Sequence, residues 1–302
     1  MISIKKRIYN NKLDIKELVL DIETTGLDIN RDKLVLLGIV KRDDNKTYIY
    51  QYFAENDDEE TRLLNIYLRE VEDRRLITFN GDNFDIRFLN ARLIDHKLFP
   101  VFPDQSLDIY KVIKWNSKFF SYDSMRLVDI EKLIGIERED PSRYKVISKL
   151  TNDLIRRENP FPIIKHNEND LISTAALATI EEIYKKKLSV STKIGEIYLY
   201  NANINKDIGN FEFRAYKHLD DLYVAENNYQ LIIKDDIIKL NIHVLFGKFN
   251  NNITGFVTIN NFAIKNISDI EINDNLLIIR ESNLYNYHNL LNLCKKIIEN
   301  HS

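Results

Sequence analysis

The sequence predicts an α/β protein in two domains: a mixed sheet flanked by helices, then an antiparallel β-rich domain closed by a helix. Strand-like and helix-like apolar spacing alternate along the first 185 or so residues, the pattern of a sheet with helices layered on its faces. After Ser189 the texture changes: Asn becomes frequent, and short alternating runs are parted by turn-like pairs. The length, 302 residues, exceeds what one core of roughly 250–300 residues fills. The division is placed at residues 1–188 and 189–302.

Glu17 to Ile22 is an apolar run with a polar end and reads as a buried strand. Lys33 to Lys41 reads the same way, and Lys46 to Phe53 alternates aromatic and polar residues as a third strand. The short connections among these three favour antiparallel hairpins. Asp57 to Glu72 has helical spacing, with Leu63, Leu64, Tyr67, Leu68 and Val71 on one side. Leu76 to Phe79 is a short strand, and Asp82 to Leu93 returns to helix. Asp123 to Ile134 is helical and stops at Gly135; a longer helix follows Pro162 and runs to about Lys187. In the second part, the runs Phe211 to Tyr216, Leu222 to Ala225, Tyr229 to Ile233, Ile237 to Phe246, Ile253 to Ile259 and Leu276 to Arg280 form a meander. Asp220-Asp221, Asn227-Asn228 and Asp235-Asp236 read as its turns. A closing helix from Leu284 to Asn300 sets Leu290, Leu291, Cys294, Ile297 and Ile298 on one face.

Hydrophobic residues make up 44% of the chain and charged residues 29%, an ordinary globular composition. No run approaches the ~20 consecutive apolar residues of a membrane helix, and Met1 to Lys12 has no apolar leader segment. No membrane partner is expected. The single cysteine, Cys294, excludes an internal disulfide and a Cys-rich zinc site, so a cytoplasmic protein is the simplest reading. The net charge is −3, and residues from 190 onward hold 11 Lys and Arg against 13 Asp and Glu. Neither part is a basic nucleic-acid module by bulk charge. Low bulk charge does not exclude a protein that meets phosphates, because bound divalent ions can face them instead.

Chemistry concentrates in three segments. In Leu18-Val-Leu-Asp21-Ile-Glu23-Thr-Thr-Gly26-Leu27, apolar residues lead straight into two acids two positions apart. On a strand these point to one face. Like charges side by side repel, and burial worsens this. A chain has no need of such a pair for stability, whereas a divalent cation seeks hard oxygen ligands of this kind. Gly26 would let backbone approach a ligand closely. In Asn80-Gly-Asp-Asn-Phe84-Asp85, a strand ends and a helix begins. Asp82 is assigned the N-cap, and Asp85, in the first turn, the metal. In His166-Asn-Glu-Asn-Asp170, the imidazole and carboxylate stand at i and i+4 on one helix face.

Together these segments resemble the three motifs of the DEDD exonucleases of the ribonuclease H-like superfamily. The finer resemblance is to the bacterial YprB-type branch, through Ser106-Leu-Asp108-Ile-Tyr110, the stretch Ser124 to Ile136 with Gly135, and His166-Asn167. It covers roughly residues 15 to 187. One departure stands out: the superfamily's third motif carries Tyr-x3-Asp or His-x4-Asp, and this chain has the His of one with the spacing of the other.

The resemblance implies a ribonuclease H-like mixed five-stranded sheet and a 3′-5′ exonuclease that releases nucleoside 5′-monophosphates. It implies two Mg²⁺ or Mn²⁺ ions roughly 3.5–4 Å apart, held by Asp21, Glu23, Asp85 and Asp170, with Asp21 bridging. His166 would be the general base. Thr24, Thr25, Gly26 and Leu27 would meet the terminal nucleotide, with Asn80 and Phe84 as weaker substrate contacts and Asp108 in a structural role. The expected partner is the 3′ end of a single-stranded nucleic acid, DNA or RNA. Two alternatives stay open: a structure-specific endonuclease of the same fold, and a nuclease-fold binding module. The β-rich domain is left as a candidate protein-docking unit. Its Phe211, Phe213 and Tyr216 are read as core residues, with base stacking as the other option.

Overall fold

A computed structural model describes residues 1–10, 12–103, 105–135, 147–249 and 253–301. The chain opens with four strands, β1 (Ile2–Ile8), β2 (Glu17–Thr24), β3 (Leu34–Asp43) and β4 (Lys46–Phe53). Then come α1 (Glu60–Val71), β5 (Arg75–Thr78), α2 (Asp85–Asp95), β6 (Ser106–Asp108) and α3 (Ile109–Asn116). The strands form one sheet in the order β1-β4-β3-β2-β5-β6. The first four pair antiparallel, and β5 and β6 run parallel to β2. The mixed α/β sheet expected from the sequence is present, with six strands instead of five. The addition is β1, whose Ile2-Ser-Ile-Lys-Lys-Arg-Ile stretch is largely exposed and only borders β4. An edge strand buries too little to leave a strong apolar signal.

β2 is apolar and fully buried at Leu18, Val19 and Leu20 because it lies inside the sheet and is covered on both faces. Leu18, Leu20 and Ile22 pack with Leu63, Leu64 and Tyr67 of α1 and with Phe88 and Leu89 of α2. The other face is closed by helices that follow α4 (Leu127–Ile130), namely α5 (Ile147–Arg156) and α6 (Pro160–Ala176). There Val35, Leu36 and Phe53 meet Leu154, Ile163 and Ile164.

Two helices read from spacing are broken. The stretch from Asp123 yields only α4 and a 3₁₀ turn, Glu131–Ile134, closed by Gly135 in the left-handed region. Ile136, the end of that cue, lies outside the described residues. The long helix after Pro162 is α6 followed by α7 (Ile180–Lys187), interrupted at Leu177.

By its contacts the chain divides into two units: residues 1–113 with 123–180, and residues 114–122 with 181–302. The second holds β7 (Ser189–Thr192), β8 (Gly195–Asn205), β9 (Ile208–Ala225), β10 (Tyr229–His243), β11 (Leu245–Lys248), β12 (Thr254–Ile259), β13 (Leu276–Glu281), β14 (Leu284–Tyr285) and α8 (Tyr287–His301). They make two antiparallel sheets, β10-β9-β8-β7 and β11-β12-β13-β14. One core unites them: Phe211, Phe213, Leu240, Leu277 and Ile279 with Leu290, Cys294, Ile297 and Ile298 of α8. Asp220-Asp221 and Asp235-Asp236 are not turns. β9 runs through the first, and the second sits at a register shift where Asp235 has φ 58°, a bulge that keeps both strands going. Among the described residues no helix is long and apolar enough to cross a membrane.

Candidate active site

The candidate site lies where the C-terminal half of β2 leaves the parallel part of the sheet, the usual edge for ligands in such folds. Asp21 stands opposite Gly38 of β3 and Glu23 opposite Leu36, with a register shift just after Glu23. Alternation sends Leu18, Leu20 and Ile22 into the core with α1 and α2, leaving Asp21 and Glu23 on the other face. Asn167 of α6 confirms that facing: its Nδ2 donates to Asp21 Oδ2 at 2.6 Å. Pairing of β2 with β5 ends at Val19 and Ile77. Beyond it, the Ile22 N–H donates to Asp85 Oδ1 at 3.2 Å, so a carboxylate takes the place of a neighbouring strand.

Asp85 opens α2 and is buried. The N-cap position is Phe84, without a side-chain cap. The assignment of Asp82 as cap is therefore corrected: its carboxylate takes the Lys111 ammonium at 2.5 Å. His166 and Asp170 both lie on α6, with Nε2 and Oδ2 3.8 Å apart.

Electrostatics bind the four acids into one system. Burial pushes Asp21 and Glu23 far above the usual carboxylate range, and the charges of Asp170 and Asp85 push both further. The Asn167 hydrogen bond partly offsets this for Asp21. Asp85 is pushed up to about 7, by burial first and then by the charges of Asp108 and Asp170, against the N–H bonds it accepts. Among the described residues no three Asp, Glu, His or Cys side chains converge closely enough to hold one ion. Asp21 and Asp85 instead each engage a protein donor. The donor chemistry nonetheless fits divalent cations: the charges of Asp170 and Asp85 raise the proton affinity of Asp21 and Glu23, and that of Asp170 raises Asp85, and hard oxygen-seeking ions offset such gathered charge.

The loop after β2 is tied to itself. Thr24 Oγ1 donates to the Gly26 carbonyl at 2.6 Å, and Thr25 Oγ1 donates to Asp32 Oδ1 at 2.9 Å. A Cβ at Gly26 would strike the Asp32 carboxylate, so the close approach seen here is within the protein. Leu27 projects into solvent, 80% exposed. Asn80 adopts φ 64°, and its N–H donates to Asp108 Oδ1 at 2.8 Å, while its own Oδ1 accepts from Asn83 Nδ2. Asp108 also accepts the N–H groups of Asp82 and Tyr110; it knits the turn that presents Asp85. The Phe84 ring packs 5.6 Å from that of Phe88.

Sequence reasoning passed over Asn167, Gln51 and Gly38 as site residues. Gln51 Nε2 of β4 donates to Asn167 Oδ1 at 2.8 Å, which orients Nδ2 toward Asp21. A Cβ at Gly38 would overlap Asn167 Oδ1 and come within 2.8 Å of Leu171 Cδ1. Glycine there lets α6, the carrier of His166, Asn167 and Asp170, lie close on the sheet. The available signal was the polar Gln51 at an inward position of an alternating strand.

A mixed sheet with acids on its first inner strand and on two covering helices defines a ribonuclease H-type fold. The ribonuclease H superfamily model matches residues 18–180, more than half of the chain, so the chain belongs to that superfamily. A PolC-type DNA polymerase III from Ureaplasma parvum serovar 3 is 27% identical over 277 residues, covering 78% of this chain and 18% of the polymerase. The chain thus spans about a fifth of that relative's length. Among solved structures, the family B DNA polymerase of Pyrobaculum calidifontis matches with a TM-score of 0.45 at 17% identity, over 58% of this chain and 26% of that one. The zinc-bound complex of Escherichia coli ExoI with single-stranded DNA matches with a TM-score of 0.36 at 11% identity, over 67% and 55%.

Proposed function

We propose that the chain is a metal-dependent 3′-5′ exonuclease of the DEDD type, with its finer affinity to the YprB-type branch. The observation that carries this reading is the gathering of acids around β2: Asp21 is bonded to Asn167 of α6, Asp85 accepts the N–H of the intervening Ile22, and the charges of Asp170 and Asp85 raise the proton affinity of both Asp21 and Glu23. Membership of the ribonuclease H superfamily and a DNA polymerase relative support nucleic acid as the substrate class.

Asp21, Glu23, Asp85 and Asp170 would hold two divalent cations, Mg²⁺ or Mn²⁺. Such ions supply charge neutralisation at a phosphate and stabilise the attacking and leaving oxygens. The protein's own part is to position and to move a proton. Asn167 and the Ile22 N–H fix the carboxylates of Asp21 and Asp85. His166, whose Nε2 faces Asp170, takes the proton of the water that attacks phosphorus. The bond from phosphorus to the 3′ oxygen breaks, that oxygen leaves to be protonated by solvent, and a nucleoside 5′-monophosphate is freed. Leu27, exposed in the loop after β2, and the backbone of Thr24, Thr25 and Gly26 would meet the terminal nucleotide, with Asn80 and Phe84 beside them. The buried lone Cys294 suits a cytoplasmic setting.

The test uses 3′-labelled single-stranded DNA and RNA with Mg²⁺ or Mn²⁺, with chelator, and with a closed circle. Release of the labelled terminal mononucleotide that requires metal and is lost in Asp21→Ala and Asp85→Ala is expected. Cutting of the circle would make the chain an endonuclease. Binding without cleavage in every condition would leave only a binding module.

A further inference from the structure

The outward face of the sheet β10-β9-β8-β7 carries aromatic rings that the core does not use. In β8 and β9, Ile197, Leu199, Phe211, Phe213 and Ala215 point inward and are buried. Tyr198 and Arg214, paired in register, therefore look outward with Tyr200 and Tyr216. The Tyr198 and Tyr216 rings are 5.2 Å apart, and Tyr200 lies 6.2 Å from Trp115. Tyr200, Tyr216 and Trp115 are 42%, 56% and 48% exposed. All belong to the second unit. Phe211 and Phe213 are core residues, as the sequence suggests; Tyr216 is not.

The rings are edged by cations. Lys118 Nζ sits 4.1 Å from the Trp115 ring centroid, Lys185 Nζ 5.8 Å from Tyr198, and the Arg214 guanidinium 4.8 Å from Tyr200. Arg214 is neutralised by Glu212 and Asp236, so it offers a flat surface more than a free charge. Lys118 and Lys185 make no ion pair among the described residues; Lys118 reaches only the amide oxygen of Asn201, at 2.5 Å. Burial lowers the Lys118 ammonium's proton affinity, so an approaching anion would favour its charged form. Exposed rings interleaved with uncompensated lysines match a ligand that is both planar and anionic along its length. Single-stranded nucleic acid has that chemistry: bases stack on rings while lysines meet phosphates.

We propose that this face of the second unit binds single-stranded nucleic acid by base stacking on Trp115, Tyr200, Tyr198 and Tyr216, with Lys118 and Lys185 on the backbone. The proposal extends the nuclease reading, and its test runs without cleavage. Trp115 is the only tryptophan of the chain, so its emission reports directly on this face. The full chain, kept in chelator, is titrated with oligo-dT, oligo-U and an abasic oligonucleotide of equal length. Saturable quenching by oligo-dT or oligo-U is expected, and the tighter of the two names the natural strand. A Tyr200→Ala, Tyr216→Ala double variant should bind about tenfold or more weakly, on the scale of ~1–3 kcal/mol of stacking per base. Its melting should be unchanged. Lys118→Gln with Lys185→Gln should flatten the salt dependence of binding. Equal binding of the abasic strand, wild-type affinity in the double tyrosine variant, or equal quenching by poly-glutamate would overturn the proposal. Metal-dependent cleavage is assayed separately on the same samples, so loss of the nuclease reading and loss of this one are distinguishable.

Discussion

Replacing Asp85 with Asn should stabilise the metal-free protein at alkaline pH. The amide keeps the size of the side chain and an oxygen for the Ile22 N–H, which lies 3.2 Å away, so the change removes charge and little else. In the folded chain the Asp85 carboxyl is raised from 3.8 to about 7. At ~1.4 kcal/mol per pH unit, that shift corresponds to a ceiling of about 4 kcal/mol. The folded pKa lies above the unfolded one, so the folded state binds the extra proton. This contribution to stability is fully present below the unfolded pKa, falls as pH rises through the window from about 4 to 7, and is gone above it. The Asn variant escapes the loss. Urea unfolding in chelator should show it more stable than wild type by about 2–4 kcal/mol near pH 8, shrinking to about 1 kcal/mol near pH 4.5. The lower part of that range is expected because Asp108 and Asp170 share the repulsion and the acids titrate as a group. An Asn variant less stable than wild type at both pH values, or a gain independent of pH, would refute the electrostatic account.

Mn²⁺ or Mg²⁺ should raise the melting temperature of wild type in proportion to the logarithm of its concentration, and should do so much less in Asp21→Asn; thermal scans across a metal titration check this. His166→Ala should lower turnover by about 10²–10⁴-fold with metal binding retained, and single-turnover cleavage measures it. Gly38→Ala should cost about 1–3 kcal/mol through overpacking and should slow cleavage as well, because the added methyl presses on Asn167 and Leu171 of α6. Unfolding and activity measured on one preparation test both parts.

The parts legible in the sequence were those with a strict period and a chemical anomaly. Asp21 and Glu23 interrupt an apolar strand at period two, and the structure puts both on the face that meets α6. His166 and Asp170 share a helix face at i, i+4. Features set by tertiary context escaped. β1 is an edge strand, so its alternation is diluted by charge. The break at Leu177 occurs among good helix formers, and packing alone marks it. Asp220-Asp221 looked like a turn, yet β9 continues through it as an exposed stretch. Asn167 escaped because an Asn between charged helix residues reads as solvent-facing, and only Gln51, 116 positions earlier, shows that it is buried. The carboxylates' electrostatic coupling follows from distances no linear pattern carries.

The bond from the Ile22 main chain to Asp85 has a spectroscopic consequence. Ile22 is buried in the C-terminal half of β2, yet its amide hydrogen answers to a side chain of a helix and not to a neighbouring strand. Its nitrogen and proton resonances, and its exchange with deuterated solvent, should move whenever Asp85 gains a proton or turns toward another ligand. One labelled amide thus becomes an internal gauge of the pocket, readable in the intact protein before any substrate is added.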